Sequence, residues 1–308
     1  MTLTHRRTLL VAAGSLPILA ACGSTDPLGS APTSSGAATT ITVGSANFPE
    51  SEIIGELYAQ ALEAKGIQVK RQMQIGSREV YVKALGDSSI DLIGEYTGNL
   101  LAYFDKTATE TDPAAVATAL AKALPATLTV LDPAPAEDKD SYNVTKAFAD
   151  KYGITSLSDL GKVTGPLRVG GPPELADRDY GPKGLTKVYG FPADRITFVP
   201  ISDGGGPLTV RALANGDVDL ANIFSTTPAI KENGFVTLAD PKRLIAPQNV
   251  IPLMAKAKAT PSVMAAINAV QKVLTTDDLL AMNGQNSGPA KLQPKAVAAA
   301  WLKQKGLV

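Results

Sequence analysis

The chain has 308 residues, 44% of them apolar and 19% charged, which allows two globular domains with cores of their own and excludes a disordered chain. Lysine plus arginine equals aspartate plus glutamate at 29 each, so no basic face is implied and nucleic acid is not an expected partner.

Residues 1–21 read as a leader. His5, Arg6 and Arg7 form a cationic start, and Thr8 to Leu19 is an apolar stretch too short to span a bilayer comfortably. The run Leu19-Ala20-Ala21-Cys22 that follows resembles the lipobox of bacterial lipoproteins, with Cys22 as the lipidated first residue of the mature chain. The paired arginines leave Sec and twin-arginine export both open. Cleavage after Ala21 removes the only histidine and leaves Cys22 as the only thiol. Ser-His-Asp and Cys-His catalysis, thiolate or imidazole zinc sites and internal disulfides are thereby excluded, and only a carboxylate mechanism remains open. No cofactor is expected. Residues 22–40, rich in Ser, Thr, Gly, Ala and Pro, read as a flexible tether.

The globular part opens with a strand over 41–46. A helix follows whose buried stripe is Ile53, Ile54, Leu57, Tyr58, Ala61 and Leu62, ending at Lys65-Gly66. A strand over 69–75, a short helix over 79–85 and a third strand from Ile90 complete a β-α-β-α-β run, which implies a mostly parallel sheet. The third strand runs into Gly94-Glu95-Tyr96-Thr97-Gly98-Asn99, a polar cluster at a strand end, where open α/β sheets present ligands. An ordinary strand-to-helix turn has the same pattern. A helix over 113–124 and a strand over 127–131 follow. Asp132 to Glu137, stiffened by two prolines, then reads as a crossing between domains.

A second β/α run starts near Tyr142, with strands over 167–170, 195–200, 218–222 and 235–238 and helices over 182–189 and 207–214. Ile245 to Met254 reads as the return crossing, and helices over 261–274, 277–283 and 294–305 close the chain. One pattern recurs. Asp91-Leu92 and Asp219-Leu220 each follow a carboxylate-bearing turn, and each leads to an aromatic residue and a hydroxyl, in Tyr96-Thr97 and in Phe224-Ser225-Thr226. Reused turn chemistry gives this pattern, and so do two similar lobes with a ligand cleft between them.

The stretches GSANFPESEIIGELYAQALEAKG, IDLIGEYTGN, LDPAPAEDKDSYNV, GGPPELADRD, ALANGDVDLANIFST and AVAAAWLKQKGLV, in this order, resemble the substrate-binding lipoproteins of ABC transporters for osmoprotectants such as glycine betaine, choline and proline betaine. The resemblance covers nearly all of residues 41–308. It implies an α/β fold of the two-lobed, type II periplasmic-binding-protein kind, with two β/α lobes joined by two crossing strands. Lobe one would be 41–136 with 250–308, and lobe two 137–249. It also implies a monomeric, non-catalytic receptor, lipid-anchored on the outer face of the cell membrane, that hands a small solute to permease subunits.

In such proteins an aromatic box holds the quaternary ammonium by cation–π attraction, about 0.5–2 kcal/mol per ring face. Carried over by position, the resemblance implies box rings at Tyr96, Tyr142 and Phe224, the last where a tyrosine is usual. It implies an acidic residue at Asp140, and a pair at Glu174 and Arg178 with Arg178 as the donor to a ligand carboxylate. Three positions depart from the pattern: Gln248 replaces a fourth tyrosine, Ala46 a lysine and Asn99 a threonine. The same receptor role for a polyol, a neutral zwitterion or an aromatic solute is the alternative. A hydrolase using Asp140 and Glu174, or a surface protein without a transport role, are the readings from other classes. Gly204-Gly205-Gly206 imitates a phosphate loop, but no Gly-Lys-Ser/Thr follows it.

If Cys22 carries lipid, Cys22→Ala should leave the protein unprocessed or released from membranes. Cleavage and membrane fractionation unchanged from the natural protein, read by mass spectrometry and immunoblot, would refute the lipobox.

Overall fold

The computed structural model describes residues 40–308. The expected leader, the lipidated Cys22 and nearly all of the expected tether lie outside the described residues. None of the described helices is long and apolar enough to cross a membrane, and the described residues hold no cluster of three or more potential metal ligands.

The chain first lays down β1 (Ile41–Gly44), α1 (Pro49–Glu63), β2 (Val69–Gln72), α2 (Arg78–Gly86), β3 (Leu92–Tyr96), α3 (Thr97–Phe104), α4 (Pro113–Ala123) and β4 (Leu128–Val130). All six residues expected in the stripe of α1 are buried, packed against the C-terminal helices described below. The helix starts at Pro49, which suits the first helical position because its missing N–H would have no partner there. α4 starts where Asp112 accepts the N–H groups of Ala114 and Ala115, each at 3.0 Å.

A second set follows: β5 (Asp140–Val144), α5 (Lys146–Tyr152), β6 (Leu167–Gly171), α6 (Pro182–Tyr189), β7 (Ile196–Pro200), α7 (Pro207–Asn215), β8 (Leu220–Phe224), α8 (Ala229–Glu232) and β9 (Val236–Thr237). The chain then returns as β10 (Val250–Ala255) and closes with α9 (Pro261–Val273), α10 (Thr276–Ser287) and α11 (Pro294–Gln304).

Two five-stranded sheets result, ordered β2-β1-β3-β10-β4 and β7-β6-β8-β5-β9. The sheets are alike. In each, three strands run parallel (β2-β1-β3 and β7-β6-β8) and the next two pair antiparallel. The expected mostly parallel sheet is therefore mixed in both lobes. The reason is that the strand arriving from a crossing, β5 in one lobe and β10 in the other, enters its sheet against the direction of β8 or β3. The segment over 245–254 read as a return crossing is thus a crossing only up to Asn249. Pro252 sits inside β10, where its carbonyl accepts the Leu131 N–H at 3.0 Å just past the end of β4. β5, α3, α5 and α8 had no counterpart in the sequence reading. α10 also runs through Gly284 to Ser287, beyond its expected end.

The recurring turn is structural in both copies. Asp91 accepts the backbone N–H of Thr42 at 2.8 Å, and Asp219 that of Arg168 at 2.9 Å. Each aspartate thus clasps the neighbouring parallel strand near its start. Yet the residues at the far ends of β3 and β8, Tyr96 and Phe224, both reach the space between the lobes.

The two crossings run side by side and antiparallel. Ala134 N–H donates to Val250 O at 2.8 Å, Val250 N–H to Ala136 O at 3.0 Å and Asp138 N–H to Gln248 O at 3.1 Å. Gly98 packs the start of α3 onto them so closely that a Cβ would lie 2.5 Å from the Pro247 carbonyl oxygen.

At Gly94, opposite Pro252 in the ladder, a Cβ would lie 2.4 Å from Ile54 Cγ2 of α1. The α1 stripe approaches this glycine closely. Ile54 is β-branched and fully buried, so it has little room to move. Gly94→Ala should therefore destabilise the fold by about 1–3 kcal/mol in urea titration, the usual cost of overpacking. An unchanged midpoint would mean that α1 shifts freely on the sheet.

Candidate functional site

Three loops at strand ends each contribute a ring to the space between the lobes. Phe48 follows β1, Tyr96 ends β3 and Phe224 ends β8. Phe48 stacks on Tyr96 with centroids 6.3 Å apart and meets Phe224, across the cleft, at 5.1 Å. Beside them is a cavity of about 70 Å³, whose wall also includes Tyr81 and Tyr180.

Of the residues singled out from sequence, Ala46, Tyr96, Asn99, Asp140, Glu174, Arg178 and Phe224 line this cavity. Two do not. Tyr142 is buried in the core of the second lobe, where its hydroxyl donates to the Tyr180 carbonyl at 2.8 Å, so it supports a cleft residue instead of facing the cleft. Gln248 is fully buried in the returning crossing, and its side chain is taken up by Asn99. Phe48, Arg78, Tyr81, Asp138 and Tyr180 line the cavity without having been singled out. Phe48 lies between the expected first strand and the helix after it, and Arg78 just before the helix expected over 79–85. Their role depends on which loops the topology gathers, for which local sequence gives no signal.

The charges are arranged unevenly. Arg78, nearly buried, donates Nε to Glu95 Oε1 at 2.7 Å and an Nη to Oε2 at 3.0 Å, a bidentate pair. The Tyr81 hydroxyl also donates to Glu95, as does the Tyr96 N–H at 2.8 Å. Burial works against the Arg78 charge, but Glu95 outweighs it and holds the guanidinium above its ordinary range. Arg178 pairs with Glu79 of the other lobe at 2.8 Å. The expected donor to a ligand carboxylate is therefore engaged across the cleft, and its partner is none of the neighbouring acids Glu174, Asp177 or Asp179.

The remaining carboxylates have no such counter-ion. Asp138, Asp140 and Glu174 face the cavity and form no ion pair among the described residues. Burial pushes the Asp138 carboxyl well up, and the nearby Glu50 carboxylate adds to the effect. The Thr226 N–H at 2.9 Å and the Ser225 hydroxyl at 3.1 Å oppose it. Burial also raises Asp140, against the bond from Asn99. Glu50, in the first turn of α1, accepts the Tyr96 hydroxyl at 2.6 Å and Thr226 Oγ1 from the second lobe at 2.5 Å. It thereby fixes the Tyr96 ring and ties the lobes together.

The residues over 39–304 match the family described as the substrate binding domain of ABC-type glycine betaine transport systems. The chain belongs to this family. It is a family of substrate-binding, non-enzymatic transporter components, so the two carboxylates weighed above as hydrolytic groups, Asp140 and Glu174, belong to a binding protein. The glycine betaine-binding protein YehZ of Escherichia coli strain K12 is 29% identical over 286 residues, 88% of this chain and 92% of its own. A crystal structure described as a glycine betaine/carnitine/choline ABC transporter superposes with a TM-score of 0.68 at 24% identity, covering 87% of this chain and 99% of that one. Lactococcal OpuAC, in a closed-liganded conformation with glycine betaine, gives 0.63 at 17% identity, covering 87% and 97%. The likeness establishes the type II periplasmic-binding-protein fold.

The raised carboxyls make stability depend on pH. A carboxyl whose folded value exceeds its unfolded one favours the fold fully only below about pH 4, and that contribution is lost as pH rises through the folded value. Asp138→Asn removes this effect at one site. Between about pH 5 and pH 8 the urea midpoint of the natural protein should therefore fall relative to that of Asp138→Asn. Parallel curves would mean that Asp138 titrates as an ordinary carboxyl.

Proposed function

We propose that this protein is an extracytoplasmic receptor, lipid-anchored through Cys22, that binds a quaternary amine between two closing lobes (41–136 with 250–308, and 137–249) and delivers it to ABC permease subunits. The observation that carries the ligand class is the pairing pattern of the cleft. Both arginines are spent on Glu95 and Glu79, while Asp138, Asp140 and Glu174 stand without counter-ions beside the rings of Phe48, Tyr96 and Phe224.

A quaternary ammonium donates no N–H hydrogen bond, so ring faces and diffuse negative charge satisfy it better than a polar clamp does. The Asp140 and Glu174 carboxylates, without cationic partners, repel a ligand's own carboxylate, and Ala46 offers no charged donor to hold one. The cleft therefore suits a choline-like cation better than zwitterionic glycine betaine. Family membership supports the quaternary-amine class, and the names of the relatives include glycine betaine and choline binders.

Titration calorimetry on residues 23–308 tests this. Choline should bind at least about tenfold more tightly than glycine betaine, a difference of about 1.4 kcal/mol. The uncharged isostere 3,3-dimethylbutan-1-ol should bind far more weakly than either. Phe224→Ala should weaken choline binding by about five- to thirtyfold, the equivalent of one desolvated ring face. Equal binding of the isostere would refute cation recognition. Tighter binding of glycine betaine would refute the charge argument.

A further inference from the structure

Asp140, on the cleft wall at the start of β5, lies between two amides. Asn99 Nδ2, from α3 in the first lobe, donates to Asp140 Oδ2 at 2.7 Å. On the other side is Asn222 of the paired strand β8, fully buried, with both side-chain polar atoms lacking a hydrogen-bond partner among the described residues. Asn222 still helps to hold the Asp140 charge from within the second lobe, and the Asn99 amide holds it from across the cleft.

The Asn99 amide is not free to turn. Gln248 Oε1 accepts the Asn99 backbone N–H at 3.0 Å, and Gln248 Nε2 donates to Asn99 Oδ1 at 2.6 Å. With Oδ1 occupied, only the donor end of the Asn99 amide faces Asp140. Gln248 is itself fixed in the crossing pair: its N–H donates to Glu137 Oε1 at 3.1 Å and its carbonyl accepts the Asp138 N–H at 3.1 Å. Three side chains therefore run from the hinge, through the first lobe, to a carboxylate of the second.

We propose that Gln248 is a positioning residue that sets the cleft's preference for cationic over zwitterionic quaternary amines, acting through Asn99 on the Asp140 carboxylate. This rests on the reading of the cleft as a quaternary-amine site. The physical reason is polarity. An amide donating to a carboxylate favours its charged form, and an amide turned to present its oxygen favours the protonated one. The groups around Asp140 are Asn99 of α3, Arg78 of α2, Arg178, Tyr180, Tyr142 of its own strand and Asn222 of β8. The two arginines help the charge from a distance, already paired to other carboxylates. The orientation of Asn99 is the contribution that one uncharged residue outside the cleft controls. A cation attracted by Asp140 feels the loss of that charge, whereas a zwitterion, pulled and pushed at once, feels it less.

The test combines Gln248→Met, Asp140→Asn and the double variant, with choline and glycine betaine as calorimetric probes. The titration of Asp140 is followed in the ligand-free protein by carboxyl-carbon NMR. Gln248→Met should weaken choline binding by about tenfold and glycine betaine binding by less than about threefold, and neither change should persist when Asp140 is already asparagine. Asp140 should titrate at higher pH in Gln248→Met. Equal losses for both ligands in both backgrounds, or an unmoved Asp140 titration, would overturn the proposal. If the natural protein binds neither probe, the quaternary-amine reading fails by itself. The discrimination proposed for Gln248 then falls with it, and the Asp140 titration still decides whether the relay exists. Gln248→Glu keeps the shape and the acceptor for the Asn99 N–H but reverses the second bond. It should move affinity and titration the same way, and serves should Gln248→Met not fold.

Discussion

A carboxylate withdrawn from water must be met by a cation or by several donors, and the cleft depends on how that demand is distributed. Glu95 is met in full, by the Arg78 fork, the Tyr81 hydroxyl and the Tyr96 N–H. Glu50 is met by hydroxyl and amide donors from both lobes. Asp138 and Asp140 are met only by neutral donors, and burial raises both. Removing one partner of a buried ion pair costs more than the pair contributes, so Arg78 is held to Glu95.

The second constraint is geometric. Each lobe completes its sheet with the strand that arrives from a crossing, β5 in one and β10 in the other, and the crossings are hydrogen-bonded to each other. The pair of crossings is therefore continuous with both sheets, and the ends of β3 and β8 face each other over it. Contacts between the lobes reuse the same residues that line the cleft. Asn99 reaches Asp140, Arg178 reaches Glu79, and Gly204 lets the second lobe approach the Phe48 ring, where a Cβ would lie 3.0 Å from Phe48 Cβ.

Local pattern was sufficient for much of the chain. The α1 stripe and the capped starts of α4 and α9 are set by residues close in sequence, because helical periodicity and capping are short-range. Order of motifs was sufficient for the family, and position carried seven residues to the cavity wall. Pattern misjudged β10, where two prolines suggested a free crossing, and passed over β5, whose Asp140-Ser-Tyr-Asn-Val lacks the apolar run of a buried strand. Both strands are specified by partners far away in the chain, and strand propensity is mostly packing against such partners.

The sequence by itself implied the two-lobed plan and the non-catalytic class through its resemblance to a family, and its local pattern put aromatic residues at the strand ends. Only the tertiary structure decided which groups meet. It placed Phe48 between Tyr96 and Phe224, withdrew Tyr142 and Gln248 from the cleft, and spent Arg178 on Glu79. These outcomes join residues from loops and lobes far apart along the chain. Their pairing follows from sheet order and the closure of two lobes, quantities that no local stretch of sequence carries.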